Sequence, residues 1–141
     1  MDTNTYNRSL PLLAAALSDQ RNIKVEIGGD RAFTDNRTIY LPALSLDADD
    51  ALLGVARGFL DHESAHVLFS EFGALNNAQL TPLEKFLANA IEDVRIESLM
   101  ADRYPGAAKN LRDTARHVFI DKAKDADPDP AFAVPSTSYC I

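Results

Sequence analysis

Apolar and polar positions change rhythm several times along the chain. In NIKVEI, Ile23, Val25 and Ile27 alternate with Asn22, Lys24 and Glu26, the period of a strand with one buried face. Gly28, Gly29 and Asp30 then turn the chain, RAFTDNRTIYLP continues it as extended backbone with a second turn at Asp35 and Asn36, and Pro42 ends it. A small antiparallel sheet is the expected result. Elsewhere the spacing is helical. Ser9 as a cap, Pro11 in the first turn and a stripe of Leu12, Leu13, Ala16 and Leu17 predict a short first helix ending near Asn22. Acids from Asp47 to Asp50 open a proline-free run that Gly73 closes, which predicts a helix of about six turns. In TPLE, Thr81 is the expected N-cap, Pro82 the first helical residue and Glu84 the capping-box acid of a helix reaching about Asp102. Tyr104, Pro105 and Gly106 break it, and Ala108, Leu111, Ala115 and Val118 share a face of a last helix.

The pattern predicts a mostly helical α+β fold with the small sheet placed before the long central helix. A chain of 141 residues holds one domain with its own core. We expect it over residues 1–123, with 124–141, rich in Asp, Pro and Ala without periodicity, as a linker or arm whose apolar ending points to a continuing chain. A net charge of −7 excludes a broad electrostatic grip on nucleic acid and does not favour anionic membranes. The apolar run at 11–17 is too short to span a bilayer and lacks the basic flank of a signal peptide, so cytoplasmic residence is expected. Cys140 is the only cysteine, which rules out an intramolecular disulfide and a cysteine zinc cage.

Candidate chemistry lies in the central helix, where residues 60–69 read LDHESAHVLF. His62 and His66 stand four positions apart, so both imidazoles share one helical face and reach a common ion. Glu63 lies about 100° around the helix, placed to approach a water on the metal without being a ligand. The string is a match to HExxH, in which zinc takes two neutral imidazole nitrogens and the glutamate is general base. Gly54 and Gly58 continue the same four-residue ladder although each costs a helix about 1 kcal/mol relative to alanine. Their bare surface fits either a backbone passing close to the metal or helix packing through small residues.

Such a zinc site needs one more protein ligand. The next helix offers LANAIEDVRIES, with Glu92 and Asp93 adjacent and Asn89 and Glu97 one turn to either side of Asp93. Glu92 shares a flank with Ala88, Ile96 and Leu99, where a carboxylate among apolar neighbours requires something to neutralise it. Pairing with Arg95, or simply facing solvent as most helix acids do, is the alternative.

FLDHESAHVLFSEF followed by NAIEDVRIE resembles the zincin metallopeptidases of the glutamate-ligand type, and more closely the CobT-like proteins associated with von Willebrand A domains in bacteria and phages. TDNRTIYLP resembles the extended piece these proteins place before the metal helix. The resemblance covers about residues 34–100. It implies zinc held by His62, His66 and Glu92, with Glu63 as general base toward a metal-activated water in peptide-bond hydrolysis, and Asp93 and Asn89 as supporting residues behind the ligands. The order NxxED departs from the NExxSD string of the best-known members, which leaves the choice between Glu92 and Asp93 open. The resemblance also implies an extended substrate paired with an edge strand, for which Thr38 to Leu41 is the candidate. His117 and Tyr104 are candidates by chemistry for stabilising an oxyanion. Some CobT-like proteins work in assemblies with AAA+ ATPases, so a metal-binding, non-hydrolytic subunit is the competing expectation.

Overall fold

A computed structural model of the chain describes residues 3–17, 22–45, 48–72, 74 and 79–118. The expected arm at 124–141 and the expected helix stop at Gly73 lie outside the described residues. Helix α1 spans Thr3–Leu17, so Pro11 lies inside it and Ser9 does not cap it. Instead Ser9 Oγ donates to the Tyr6 carbonyl at 2.7 Å, the local back-bond of a serine within a helix. Its buried face is Tyr6, Leu10 and Ala14, while Leu12 and Leu13 are 75% and 40% exposed. A stripe phased on the adjacent leucines therefore gives way to one that starts a turn earlier, with a tyrosine.

Three short strands follow: β1 (Lys24–Ile27), β2 (Phe33–Thr34) and β3 (Thr38–Leu41), in the spatial order β1-β3-β2. The β2–β3 pair is an antiparallel hairpin, with Phe33 opposite Tyr40 and their rings stacked 4.3 Å apart. Its turn is set by Asp35 Oδ1, which accepts from the Arg37 and Thr38 amides at 2.9 and 2.7 Å, and by Asn36 at a φ of 72°. β1, however, runs parallel to β3, Lys24 opposite Thr38 and Ile27 opposite Leu41. The sheet is thus mixed, not wholly antiparallel. Parallel strands need a crossover, and here the segment carrying β2 serves as one.

Helix α2 (Asp50–Phe69) starts at Asp49, whose carboxylate accepts from the Leu52 amide at 2.8 Å. It runs through the middle of the domain. On one side it meets α1 and the sheet in a cluster that includes Tyr6, Leu10, Ile39, Leu41, Leu53 and Leu60. On another, Ala65 joins Ile96, Met100, Ala107 and Leu111. Every residue from Leu60 to Val67 is buried, as expected of a helix packed all round. Helix α3 (Pro82–Arg103) carries the predicted capping box between Thr81 and Glu84. It buries only Ile96 and Met100 and leaves Leu83, Phe86, Leu87, Ile91 and Val94 exposed. Tyr104 ends α3 and begins α4 (Pro105–Arg116), which buries Ala107, Leu111 and Thr114, a face turned slightly from the predicted one. No helix among the described residues is long and apolar enough to cross a membrane. The fold is mostly helical α+β.

The glycines of α2 separate cleanly. A Cβ on Gly58 would stand 2.6 Å from the Asn110 carbonyl oxygen and collide with Thr114, whose hydroxyl donates to the Val55 carbonyl at 3.1 Å. The bare surface there admits α4, so helix packing accounts for it. Gly54 has nothing within 4 Å of a Cβ position. Gly58→Ala is accordingly expected to destabilise by about 1–3 kcal/mol through overpacking. Gly54→Ala is expected to stabilise by up to about 1 kcal/mol. Urea unfolding midpoints of the two variants should move in opposite directions; a common shift would refute the close α2–α4 contact.

Candidate metal centre

The phase of α3 builds the site. Because Ile96 and Met100 face the core, Asp93 and Glu97, three positions before each, lie on the side turned toward α2. His62 and His66 come from the buried C-terminal half of α2, their ring centroids 4.8 Å apart and edge to face. Asp93 Oδ1 stands 3.3 Å from His66 Nε2 and 3.8 Å from His62 Nε2. One ligand atom from each of His62, His66 and Asp93 fits within 4.8 Å of the others.

The predicted residues therefore divide. His62 and His66 do converge, but the carboxylate that meets them is Asp93, which was expected behind the ligands. Glu92, the expected third ligand, is turned away: its Oε1 accepts from Ser70 Oγ at 2.7 Å and both its oxygens accept from Arg95. That contact with Arg95 is the alternative the sequence left open. Asn89 is half-buried one turn before Asp93. Tyr104 directs its hydroxyl to the Ala16 carbonyl at 3.3 Å, tying α1 to the α3–α4 junction. His117 is the C-cap of α4. His117 is not one of the three residues whose ligand atoms converge, and the Tyr104 hydroxyl is engaged at Ala16. The strand proposed for substrate pairing, Thr38–Leu41, is the central one of the sheet and has β1 and β2 on its two sides.

The atoms of this cluster fit a cation. His66 Nε2, Asp93 Oδ1 and Glu63 Oε1 are buried without a hydrogen bond, a condition that normally requires an explanation in a native interior. Two imidazoles with one carboxylate form a zinc ligand set with room for a further ligand. The opposite ring nitrogens are engaged, as metal-binding histidines require: His62 Nδ1 is 2.8 Å from Glu97 Oε1 and His66 Nδ1 is 3.0 Å from Ser70 Oγ. Burial acts to lower the His62 pKa, but the Glu97 hydrogen bond and the charges of Glu63, Asp93 and Glu97 outweigh it, so the net displacement is upward.

Glu63 is 1% exposed. Burial pushes its carboxyl up to about 7, opposed by His62 and assisted by Asp93. On the opposite flank of α2, burial likewise raises Asp61 to about 6, despite a hydrogen bond from Asn110 Nδ2 at 2.8 Å and the charge of Arg57. Beside His62 lies a cavity of about 30 Å³ reaching Glu97 and Thr114. A groove of about 560 Å³ opens beyond the end of α2, between Phe69, Ser70, Glu92, Arg95 and Ile91.

Ser70 and Glu97 were not assigned roles from sequence. A signal for each exists: Ser70 continues the ladder of His62 and His66 by one more turn, and Glu97 stands to Asp93 as His66 stands to His62.

Fold and site together define a mostly helical α+β domain in which an HExxH helix and an acidic helix enclose a histidine–carboxylate cluster. The chain belongs to the CobT family: the family described as "Cobalamin biosynthesis protein CobT" matches residues 2–130. No curated protein and no solved structure matches it.

Proposed function

We propose that the chain is a zinc-binding, non-hydrolytic subunit of a CobT-type assembly, with His62, His66 and Asp93 holding the ion and an AAA+ ATPase or a von Willebrand A domain as partner. The observation that carries the metal is the convergence of three ligand atoms within 4.8 Å, with His66 Nε2 and Asp93 Oδ1 buried and lacking hydrogen bonds. When bound, zinc supplies Lewis-acid polarisation and a fixed charge at that point. The protein's own part is to orient both rings through Glu97 and Ser70 and to keep the site dry. Family membership supports the subunit role. So does the outer face of α3: a row of exposed Leu83, Leu87, Ile91 and Val94 is the kind of apolar surface a partner covers. Ile91 also lines the groove beyond α2.

The second reading is a zinc metallopeptidase, favoured by Glu63, a buried carboxyl raised to about 7 and suited to take and return a proton. Against it stand a cavity beside His62 sized for water rather than for a peptide and a candidate substrate strand enclosed by its neighbours. Comparing wild type with Glu63→Gln against a peptide library separates the two. We expect both to hold about one zinc per chain and neither to cleave. Cleavage by the wild type that disappears in Glu63→Gln would establish the peptidase instead.

A further inference from the structure

A neutral imidazole has two tautomers, and a cation binds only the nitrogen that carries no proton. For His66 the choice is made by a chain of hydrogen bonds that begins at the surface. Arg95 donates from Nε to Glu92 Oε2 and from Nη2 to Glu92 Oε1, both at 2.7 Å. Its Nη2 also donates to the Phe69 carbonyl at 2.8 Å, which fastens the guanidinium to the end of α2. Both Glu92 oxygens accept from the Arg95 guanidinium, and an arginine-paired carboxylate only accepts. Ser70 Oγ lies 2.7 Å from Glu92 Oε1 and its one proton points there. The serine oxygen then offers only lone pairs to His66 Nδ1 at 3.0 Å. That contact is a hydrogen bond only if Nδ1 carries the proton. Nε2 is left with its lone pair, 3.3 Å from Asp93 Oδ1.

We infer that Ser70, Glu92 and Arg95 are positioning residues that lock His66 in the Nδ1-protonated tautomer and so present Nε2 to a cation. The purpose of this lock rests on the proposed metal centre, whereas the tautomer itself exists without metal. His62 is set independently, since Glu97 accepts directly from its Nδ1. Glu92, whose oxygens accept from Ser70 and Arg95, acts on the site through Ser70.

Nitrogen-resolved NMR of the imidazoles in the metal-free full chain, recorded at mildly alkaline pH, reads the tautomer directly. Wild type is expected to show Nδ1–H at His66. Ser70→Ala removes the acceptor and should move the proton to Nε2, where Asp93 accepts it, with Zn²⁺ affinity falling about 10–100-fold in a chelator competition. Ser70→Thr should restore both properties, and Arg95→Met, which loosens Glu92, should shift the tautomer in part. The His62 ring should not respond to any of these changes. An Nε2–H tautomer in wild type, or an Nδ1–H tautomer that persists in Ser70→Ala, overturns the relay. So does a loss of Zn²⁺ affinity with no change of tautomer, which would make Ser70 merely structural. If the tautomer shifts as described but wild type takes up no Zn²⁺, the relay stands and the metal-centre proposal falls.

Discussion

Replacing Asp93 with alanine is expected to abolish tight zinc binding, while Glu92→Ala retains it in weakened form. Among the described residues, Asp93 supplies the carboxylate oxygen that meets both imidazoles, at 3.3 and 3.8 Å. Its removal leaves two ligands from one helix and none from the facing one. Glu92 contributes through Ser70 alone, and loss of an outer partner of that kind typically costs about 10–100-fold in affinity. The Asp93 variant should fall well beyond that range. Zinc competition titrations on the two variants and wild type measure the difference, and a Glu92 variant weaker than the Asp93 variant would return the third-ligand role to Glu92.

Ile96→Ala is expected to cost about 2–5 kcal/mol of folding stability. The side chain is 0% exposed and packs with Ala65, Met100, Ala107 and Leu111, the cluster where α2, α3 and α4 meet. A loss of that size is a large part of the roughly 5–15 kcal/mol that holds a domain folded. It should also loosen the register that places Asp93 and Glu97 against the histidines. Val94→Ala, on the same helix but 68% exposed, should stay within about 0.5 kcal/mol of wild type. Urea unfolding of the two variants provides the comparison. Equal costs would mean that α3 is not seated on its Ile96 face.

The third ligand shows why this site was only partly legible in the sequence. HExxH fixes two imidazoles on one face by its spacing alone, because four residues is close to one helical turn wherever the helix sits. Nothing comparable fixes the carboxylate. Choosing between Glu92 and Asp93 depends on the rotation of α3, and a helix with apolar residues on more than one side has no unique phase. Ala88, Leu99 and Ile96 argue for Glu92; Ile96 with Met100 argues for Asp93. In the structure Ile96 and Met100 are buried and Leu99 is 38% exposed, the rotation that turns Asp93 toward the histidines. Helix α1 went the same way: Leu12 and Leu13 suggest a buried face, but both are exposed and the buried face carries Tyr6 and Leu10. By contrast, the Thr81–Glu84 capping box and the Asp35–Asn36 turn were readable because both are made within a few residues. The parallel pairing of β1 with β3 joins residues fourteen positions apart, for which no local pattern exists. Gly58 was visible as an anomaly, and only the approach of α4 gives the reason.

Anomalous X-ray scattering at the zinc edge, recorded from crystals of the zinc-loaded chain, decides whether the buried cluster is a metal centre. One peak is predicted, about 2.0–2.2 Å from His62 Nε2, His66 Nε2 and an oxygen of Asp93. Crystals from zinc-containing solution that show no peak between α2 and α3, or a peak held by other residues, would contradict it.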